Sequence, residues 1–441
     1  MNMAFDIDGV LTDIEKFQLE TGREYFKKKY SKDIVNPNGA GIKEIFACSE
    51  REEYEFWRDN IIYYASKYPM RTGCKETIKK IAEDGNKIFI ISSRIKTCEK
   101  TALGALMRHF VRKFLKDIPY ETIEFCSVEN SPVDKCAACK KHNIDLIVED
   151  TPANIMALKE VTKVVCFDAA YNRDLDESIP RIKSFNELFC IVNKMNPDKE
   201  MRILPREERD ALEGKELEEY YKKLQEYYRK RTNVAKYKKQ ARAYNLIYDV
   251  AKVLFGMKYP YELVNADRIP EETGVIYIAN HRDMIDPPLV MSAICKKPAH
   301  LLLKADFGEK FYTPLLSGIG CFYVKRENRD SQILTKEEMI KIILAGHDVI
   351  IFPEGTRNKT AEDLLEFQKG AASVARATGR PIVPLGISKK FDDFQEKIVV
   401  NVGEPMYIDY EDDLQIKNDE LEGSVKLLLE ENKSRINTRS K

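Results

Sequence analysis

The chain has 441 residues, in which 72 lysines and arginines are balanced by 72 aspartates and glutamates. Because the net charge is zero, the composition excludes a globally basic nucleic-acid binder, and no nucleic acid polymer is expected among its partners. At roughly 150 residues per domain, the length predicts two or three domains and more than one activity. No apolar run reaches the roughly 18 to 20 residues that span a bilayer, and no secretory signal is readable, so we expect a cytoplasmic protein.

Four short apolar segments alternate with amphipathic stretches in residues 1–195, the first predicted domain. They are Met3–Ile7, Lys87–Ile91, Asp145–Val148 and Lys163–Phe167. This order predicts a parallel sheet covered by helices. An insert at about 15–68, rich in aromatic and charged residues, interrupts the first step from strand to helix. We expect it to form a helical cap over the carboxyl edge of the sheet, where ligands of such sheets bind.

A charged helical linker is predicted at residues 196–242. Its apolar residues recur at helical spacing and comprise Leu217, Tyr221, Leu224 and Tyr228. Between Lys222 and Arg242 there are nine lysines and arginines but one acid, Glu226, so the local net charge is +8. The neutral total therefore conceals a local basic surface.

The next segment, Ala243–Met257, predicts an amphipathic helix. Its apolar face comprises Leu246, Val250, Val253, Leu254 and Met257. A basic arm that leads into such a helix can lie on an anionic membrane surface, where each basic residue contributes at most about 1 kcal/mol. In the alternative, the arm is a solvated helix face and the helix packs on its own domain. The sequence is compatible with both.

Residues 243–441 form the last predicted domain. Its predicted strands are Gly274–Ala279, Ala299–Lys304, Gly320–Val324, Asp348–Phe352, Pro381–Ile387 and Glu396–Val402. Strands that alternate with helical stretches in this way predict a second α/β fold.

The densest group of chemically active side chains opens the chain. In the segment Phe5-Asp6-Ile7-Asp8-Gly9, the alternation of a strand points Asp6 and Asp8 the same way, and Gly9 permits a sharp exit from the strand. Two like charges held at a sheet edge need a compensating cation. Mg²⁺ is suitable because it prefers oxygen ligands and commonly bridges a carboxylate and a phosphate.

Three further segments add polar groups in the same half. Ser92 ends a predicted strand, where its hydroxyl can hold a phosphoryl oxygen. Lys135 follows in Pro132-Val133-Asp134-Lys135, and the acid pair Glu149 and Asp150 follows another strand.

These four segments resemble the motifs of the haloacid-dehalogenase-like hydrolases, most of which are Mg²⁺-dependent phosphatases. Tyr171-Asn172-Arg173 and Arg71-Thr72-Gly73-Cys74 are similar to the 5′(3′)-deoxyribonucleotidase-like branch. The resemblance covers residues 1–195 and implies a Rossmann-like sheet.

By this resemblance Asp6 is the nucleophile that forms an aspartyl-phosphate, and Asp8 is the acid/base. Ser92 and Lys135 would hold the transferring phosphoryl group. The implied metal ligands are Asp6, Asp8, Glu149 and Asp150.

A zinc site is an alternative use of the cysteines in this half. Cys136, Cys139 and His142 stand three residues apart, with Cys126 upstream. In a helix this spacing does not readily bring the three side chains onto one tetrahedral ion, so we expect buried thiols instead.

In the second half, His281 and Asp286 follow an apolar strand. In an unbroken helix the two side chains, five residues apart, would point about 140° away from each other. Pro287 pushes Asp286 out of the helical region and favours a helix start, so a loop can fold His281 back onto Asp286. An imidazole that is oriented by a carboxylate is a suitable base for deprotonating a hydroxyl.

Three more segments follow this pair: Gly320–Arg326, Phe352–Arg357 and Pro381–Leu385. Arg326 and Arg357 stand at strand ends, where a guanidinium can hold a phosphate, and Gly355 lets the backbone approach a ligand.

The four segments resemble the glycerolphosphate acyltransferase superfamily, specifically the 1-acylglycerol-3-phosphate acyltransferases, over about 243–410. The resemblance implies transfer of a fatty acyl group from acyl-CoA or acyl-carrier protein to lysophosphatidate, a lysophospholipid acceptor, to give phosphatidate. His281 would be the base and Asp286 its orienting partner. The implied acceptor-binding residues are Arg326, Glu354, Gly355 and Arg357.

The sequence therefore predicts an α/β acyltransferase fused to a Mg²⁺-dependent phosphatase, bound peripherally to the inner face of a membrane. One alternative is a soluble nucleotidase whose C-terminal half is a non-catalytic lipid-binding module. Another is that the first half is a Mg²⁺-binding regulatory domain.

Overall fold

The structure is a computed structural model that describes residues 1–93, 102–195, 203–204, 206–294, 299–304, 313–392 and 395–438. It divides into two compact units, Met1–Asp198 and Lys199–Lys441. Each unit is an α/β fold with its own sheet, as predicted. Residues 196–202, in which the predicted linker begins, lie outside the described residues. In the part of the chain that the structure describes, no helix is long and apolar enough to cross a membrane.

The N-terminal unit contains a six-stranded parallel sheet. Its strands are β1 (Asn2–Phe5), β2 (Lys87–Ser93), β3 (Thr122–Cys126), β4 (Leu146–Glu149), β5 (Lys163–Phe167) and β6 (Arg181–Ile182). They are ordered β3-β2-β1-β4-β5-β6. The four predicted strands are confirmed, and β3 and β6 were not predicted. These two are the edge strands, where half-buried alternation in β3 and a length of two residues in β6 leave a weak apolar signal.

Eight helices of this unit are described. They are α1 (Ile14–Tyr30), α2 (Ile42–Phe46), α3 (Glu50–Ser66), α4 (Cys74–Glu83), α5 (Ala102–Phe114), α6 (Ser131–Lys141), α7 (Pro152–Leu158) and α8 (Phe185–Met195). Helix α6 contacts α7, and α4 contacts α8. Helices α1 to α3 lie between β1 and β2, in the segment that the sequence predicts as a cap.

The cap has an aromatic core of its own. Phe17, Phe26 and Phe56 are fully buried, and the Phe26 ring stacks on Phe46 with 4.6 Å between centroids. Helix α3 begins with a capping box, in which Ser49 and Glu52 satisfy each other's backbone N–H groups. The cap is therefore an ordered layer that can present side chains to the sheet edge.

The C-terminal unit contains a seven-stranded sheet. Its strands are β7 (Tyr261–Val264), β8 (Ile276–Ala279), β9 (Ala299–Lys304), β10 (Phe322–Val324), β11 (Asp348–Ile351), β12 (Ile382–Asp392) and β13 (Gln395–Val402). The order is β10-β9-β11-β8-β12-β13-β7, and of these pairs β12 and β13 are antiparallel. All six predicted strands are confirmed, and the edge strand β7 was not predicted.

The helices described in this unit are α9 (Arg206–Asp210), α10 (Gly214–Lys230), α11 (Val234–Lys258), α12 (Asp286–Ile294), α13 (Thr313–Gly318), α14 (Arg329–Leu344), α15 (Gly370–Thr378) and α16 (Leu414–Thr438). The main core lies on the sheet and includes Val275, Tyr277 and Val400. Parallel strands β10, β9, β11, β8 and β12 bring their carboxyl ends to one edge.

Helix α10 packs on the C-terminal unit. The predicted apolar stripe is buried, together with Tyr220 and Tyr227, and the helix contacts α14 and α15. The stripe therefore joins the core of this unit, so α10 packs as part of it. The packing follows from one apolar face that recurs at helical spacing.

Acids outside the counted window neutralise part of the +8 segment. Lys222 and Lys223 pair with Glu218 and Glu219 one turn earlier, and Lys236 pairs with Glu338 at 2.6 Å. Lys238, Lys239 and Arg242 are exposed. Of the predicted apolar face that follows, Met257 is exposed, and the side chains at positions 246–256 lie outside those that the structure describes.

Candidate active sites

The N-terminal site forms where β1, β2 and β4 end side by side. Phe5 pairs with Ile90 and Val148, so the residues that follow these strands meet at one edge. Asp6 follows β1, Ser92 lies near the end of β2, and Asp150 follows β4 directly. This geometry brings together residues as far apart in the sequence as Asp6 and Asp150, which are separated by 144 positions.

Lys135 connects two carboxylates of this site. Its ammonium group lies 3.0 Å from Asp6 and 2.5 Å from Glu149, and its side chain is fully buried. Burial opposes its charge, but the carboxylates of Asp6 and Glu149 outweigh that effect and raise its pKa. Lys135 therefore stays charged, held in place by α6.

Glu149 is saturated by hydrogen bonds. One of its oxygens accepts a hydrogen bond from the ammonium of Lys135. The other accepts hydrogen bonds from the backbone N–H groups of Asp150 and Thr151 and from the side-chain amide of Asn154. These contacts orient Lys135 and the loop after β4. Glu149 thus acts on the site chiefly through its neighbours.

Asp6, Glu149 and Asp150 form a buried cluster in which one oxygen of each lies within 4.8 Å of the others. If all three are ionised, Lys135 leaves a net charge of −2, which a divalent cation would balance. Burial, followed by the charges of Glu149 and Asp6, raises the pKa of Asp150. Oδ1 of Asp6 and Oδ1 of Asp150 are buried and accept no hydrogen bond from a described residue. These oxygens fit the preference of Mg²⁺ for carboxylate ligands.

Asp8 occupies a different position. Its carboxylate accepts a hydrogen bond of 2.8 Å from the hydroxyl of Tyr64, which lies in the cap helix α3. That hydroxyl also contacts Thr12 at 2.7 Å, and Thr12 donates to the carbonyl of Ile7. The structure therefore does not bring the Asp8 carboxylate into the three-residue cluster, but it links Asp8 to the cap.

Two neighbours of Asp150 were not predicted as site residues. The Tyr171 hydroxyl donates a short hydrogen bond to Oδ2 of Asp150, and the Asn172 amide donates to its backbone carbonyl at 2.8 Å. Gly9 has φ +79°, and a Cβ at this position would lie 1.9 Å from Oδ2 of Asp150. Glycine is required here because any side chain would occupy the place of the carboxylate.

Ser92 and Arg71 complete the surroundings of the site. The Ser92 hydroxyl is buried and makes no hydrogen bond with a described residue, so it can bind an oxygen of a ligand. Arg71 donates to the Asp13 carboxylate at 2.8 Å and to the carbonyl of Gly9 at 3.1 Å. Arg71 thereby fixes the turn that follows Asp8.

The cysteines do not assemble a zinc site among the described residues, where the acidic cluster is the one group found that could hold a metal. His142 instead contacts Glu124 at 2.6 Å. Burial raises the pKa of Cys126 and of Cys139 to about 12, so both remain thiols.

The C-terminal site forms on the loop after β8. Nδ1 of His281 lies 3.2 Å from Oδ2 of Asp286, so the loop folds the imidazole back onto the carboxylate. Asp286 begins α12, and its Oδ2 also accepts the backbone N–H groups of Arg282 at 2.7 Å and Asp283 at 2.6 Å. A carboxylate on Nδ1 favours the tautomer with its proton there, which leaves Nε2 as an acceptor.

The charge of Asp286 is stabilised despite its burial. Burial raises its pKa, but hydrogen bonds from His281 and from Lys389 outweigh burial and lower it. Lys389 lies 2.6 Å from Oδ1 of Asp286 and was not predicted as a site residue. The carboxylate is therefore held from both sides.

Glu354 follows β11 and holds two loops together. Its oxygens accept the backbone N–H of His281 at 2.5 Å and of Leu365 at 2.9 Å. Burial raises its pKa and the two backbone donors oppose that effect. The His281 ring also packs on Phe352, with 4.4 Å between centroids.

The arginines predicted to bind the acceptor lie in two environments. Gly355 has φ +74°, and a Cβ there would lie 3.5 Å from the guanidinium of Arg326. Gly355 and Arg326 are thus brought together although 29 residues separate them. Arg357 is exposed.

Two family models match different parts of the chain. Residues 1–196 match "5′ nucleotidase, deoxy (Pyrimidine), cytosolic type C protein", and residues 261–388 match "Acyltransferase". The two matches fall in the two compact units.

Curated relatives match the acyltransferase region. A probable 1-acyl-sn-glycerol-3-phosphate acyltransferase of Mycoplasma pneumoniae is 29% identical over 139 residues, which are 31% of this chain and 52% of that protein. A 1-acyl-sn-glycerol-3-phosphate acyltransferase of Borreliella burgdorferi is 30% identical over 147 residues, 33% of this chain and 58% of that protein. The chain thus spans little more than half the length of these relatives.

Solved structures resemble each half. The 1-acyl-sn-glycerophosphate acyltransferase PlsC of Thermotoga maritima matches with 20% identity and a TM-score of 0.33, covering 51% of this chain and 86% of that chain. A predicted phosphoglycolate phosphatase of Haemophilus somnus matches with 17% identity and a TM-score of 0.32, covering 43% and 97%. Residues 1–196 are therefore similar to the cytosolic type C 5′ nucleotidase family, and residues 261–388 are similar to the acyltransferase family.

Proposed function

We propose that the C-terminal unit transfers a fatty acyl group from acyl-CoA or acyl-carrier protein to 1-acylglycerol-3-phosphate, giving phosphatidate. The proposal rests on the contact of 3.2 Å between His281 and Asp286 at the carboxyl edge of the sheet. The identity of the acceptor is inferred from the names of the relatives in Mycoplasma pneumoniae and Borreliella burgdorferi.

The proposed reaction is direct transfer. Nε2 of His281 takes the proton of the acceptor hydroxyl as its oxygen attacks the thioester carbonyl. A C–O bond forms, the C–S bond breaks, and the proton passes to the departing thiolate. Asp286 keeps the imidazole oriented, while Arg326, Gly355 and Arg357 would bind the acceptor phosphate, with Glu354 supporting the loop.

We propose further that the N-terminal unit hydrolyses a phosphomonoester whose identity the cap selects. Asp6 attacks phosphorus to form an aspartyl-phosphate, the ester P–O bond breaks, and Asp8 protonates the leaving oxygen. Asp8 then takes a proton from water, which attacks phosphorus, releases phosphate and restores the Asp6 carboxylate. Lys135 and Ser92 hold the phosphoryl oxygens. Bound Mg²⁺, held by Asp6 and Asp150 with Glu149 nearby, would neutralise charge on the transferring group.

A paired assay on the full-length protein tests both activities. Asp6→Asn should abolish phosphate release and leave acyl transfer intact, whereas His281→Ala should do the reverse. Asp33→Asn serves as the control because Asp33 is exposed in the cap. Acyl transfer that survives His281→Ala would refute the mechanism of the second half.

The same assay separates the alternatives. A nucleotidase with a non-catalytic lipid-binding module predicts phosphate release without acyl transfer in the wild type. A Mg²⁺-binding regulatory domain predicts no release from any nucleotide or phosphorylated lipid headgroup.

We propose peripheral binding of the chain to an anionic membrane at its cytoplasmic, inner face. Three basic side chains in the first half of α11 are exposed and support this proposal: Lys238, Lys239 and Arg242. Replacing the three by alanine should reduce flotation with vesicles that contain phosphatidylglycerol. Replacing Lys222 and Lys223, which already pair with acids, is the control. Equal flotation of wild type and triple variant would contradict the proposal.

A further inference from the structure

Strand β12 carries a lysine to the far side of the His281–Asp286 pair. The register of β12 with β8 ends at Leu385 and Ala279. Beyond it, the side chain of Asn280 exchanges two hydrogen bonds with the backbone of Ile387, at 2.9 and 2.8 Å. These contacts extend the pairing, so Lys389 stands beside the loop that carries His281.

Lys389 contacts the carboxylate oxygen that His281 does not use. Its ammonium lies 2.6 Å from Oδ1 of Asp286 and 3.5 Å from the Asp283 carboxylate. The side chains of Lys389 and Asp286 are 17% and 2% exposed, so water screens this ion pair little.

We propose that Lys389 is a positioning residue for acyl transfer: by holding Oδ1 of Asp286, it fixes Oδ2 against Nδ1 of His281. The inference rests on the proposed function of the C-terminal unit. It adds a residue that no motif of the sequence contains and that lies 103 positions from Asp286.

The physical reason is the balance of charge and hydrogen bonds at a buried carboxylate. Oδ2 of Asp286 accepts hydrogen bonds from His281, Arg282 and Asp283. Oδ1 of Asp286 accepts one from the ammonium of Lys389. Without the ammonium, Oδ1 loses its ionic partner in a buried place, which favours rotation or protonation of Asp286. Either change weakens the acceptor for the Nδ1 proton and releases the ring to adopt the other tautomer.

A cavity of about 480 Å³ opens beside this pair. Its lining includes Lys389, Asp286 and Lys433. Lys433 pairs with Asp363 at 2.5 Å, and both of these side chains are 54% exposed. Lys433 is therefore a matched control: a lysine at the same cavity whose ion pair does not include Asp286.

The kinetic test compares Lys389→Met, Lys389→Arg and Lys433→Met in the full-length protein. Lys389→Met should lower kcat about tenfold and leave KM for 1-acylglycerol-3-phosphate within about twofold, because the residue acts on the base and not on the acceptor. Lys389→Arg should restore part of kcat, and Lys433→Met should match the wild type.

A double-mutant cycle tests whether the effect passes through Asp286. In an Asp286→Asn background, Lys389→Met should change kcat by less than about twofold. A tenfold loss that persists in this background, or a Lys389→Met variant that unfolds at a lower temperature with unchanged kcat, would overturn the proposal.

A tautomer measurement separates this inference from the acyltransferase proposal. The chain has five histidines, so ¹⁵N-histidine labelling resolves the His281 ring, assigned by His281→Gln. Lys389→Met should shift the ring from the Nδ1–H towards the Nε2–H tautomer, whether or not acyl transfer is detected. An unchanged tautomer ratio overturns the inference; a wild-type protein without acyl transfer refutes the proposed function, and with it the catalytic role of Lys389.

Discussion

The carboxylate of Glu354 accepts a hydrogen bond of 2.5 Å from the backbone N–H of His281. Its other oxygen accepts the backbone N–H of Leu365 at 2.9 Å. Both oxygens of Glu354 therefore bind backbone N–H groups of two loops. The sequence had instead predicted that Glu354, within Phe352–Arg357, contacts the acceptor. The arrangement indicates that it supports the loop that carries His281, and direct binding of an anionic phosphate by a carboxylate would be unfavourable.

Glu354→Gln should lower acyl transfer by at least about tenfold and destabilise the loop by about 1 to 3 kcal/mol, because one accepting oxygen becomes an NH₂ group that faces a backbone donor. Steady-state kinetics should show the loss mainly in kcat. Glu366→Gln is the control, because the Glu366 side chain is exposed. A change in KM for the acceptor alone would instead assign Glu354 to acceptor binding.

Tyr171→Phe should weaken Mg²⁺ binding by about tenfold, because the lost hydroxyl no longer orients the Asp150 carboxylate. The single tryptophan, Trp57, lies in the cap and reports thermal unfolding of the N-terminal unit. The measurement is the midpoint of Mg²⁺ binding in a calorimetric titration at constant temperature, and the Trp57-detected Tm shows that each variant is folded. Tyr54→Phe, at an exposed cap position, should leave this midpoint unchanged. The same midpoint in Tyr171→Phe would show that Tyr171 does not support the metal site.

Gly9→Ala should abolish phosphate release and lower the Trp57-detected Tm, while acyl transfer persists. The added Cβ would lie 1.9 Å from Oδ2 of Asp150. Gly85→Ala isolates the cost of the backbone, because Gly85 has φ +81° with nothing within 4 Å of its Cβ position. Both variants bear about 1 to 2 kcal/mol of left-handed strain, but Gly9→Ala alone displaces a carboxylate. Equal activity in the two variants would contradict the role assigned to Gly9.

The C-terminal unit should lose stability as the pH falls from about 6.5 to about 4. Burial, and then the neighbouring His347, lower the pKa of His300 to about 4 from 6.5. An unfolded chain therefore binds this proton at a higher pH than the folded unit does. Full protonation would cost about 3 kcal/mol of unfolding free energy from this group.

Amide hydrogen exchange in β9 and β11 measures this pH dependence. His300→Gln should make the loss of protection towards low pH shallower. His109→Gln, at an exposed position in the N-terminal unit, should leave exchange in β9 and β11 unchanged. An identical slope in His300→Gln and wild type would rule out His300 as the source.

Much of the fold and site could be predicted because the signals are local. A buried strand followed by polar residues is contiguous in the chain, as in Phe5–Asp8 and in the segment that ends at His281. Asp6 and Asp150 each follow a predicted strand, and the carboxyl ends of parallel strands lie at one edge of a sheet. The family resemblance implied that Lys135 joins them in one site. The edge strands β3, β6 and β7 could not be predicted from the sequence, because partial burial weakens their apolar pattern.

The sequence by itself determined the two α/β units, the order of ten of their thirteen strands along the chain and the residue types that follow those strands. Only the tertiary structure decided which side chains complete the sites. Tyr64 contacts Asp8 from 56 positions away, Tyr171 contacts Asp150 from 21 positions away, and Lys389 contacts Asp286 from 103 positions away. It also decided that Lys236 pairs with Glu338, which a local charge count could not include. The physical reason is that burial makes hydrogen bonding and charge balance obligatory, and folding supplies the partners from distant parts of the chain.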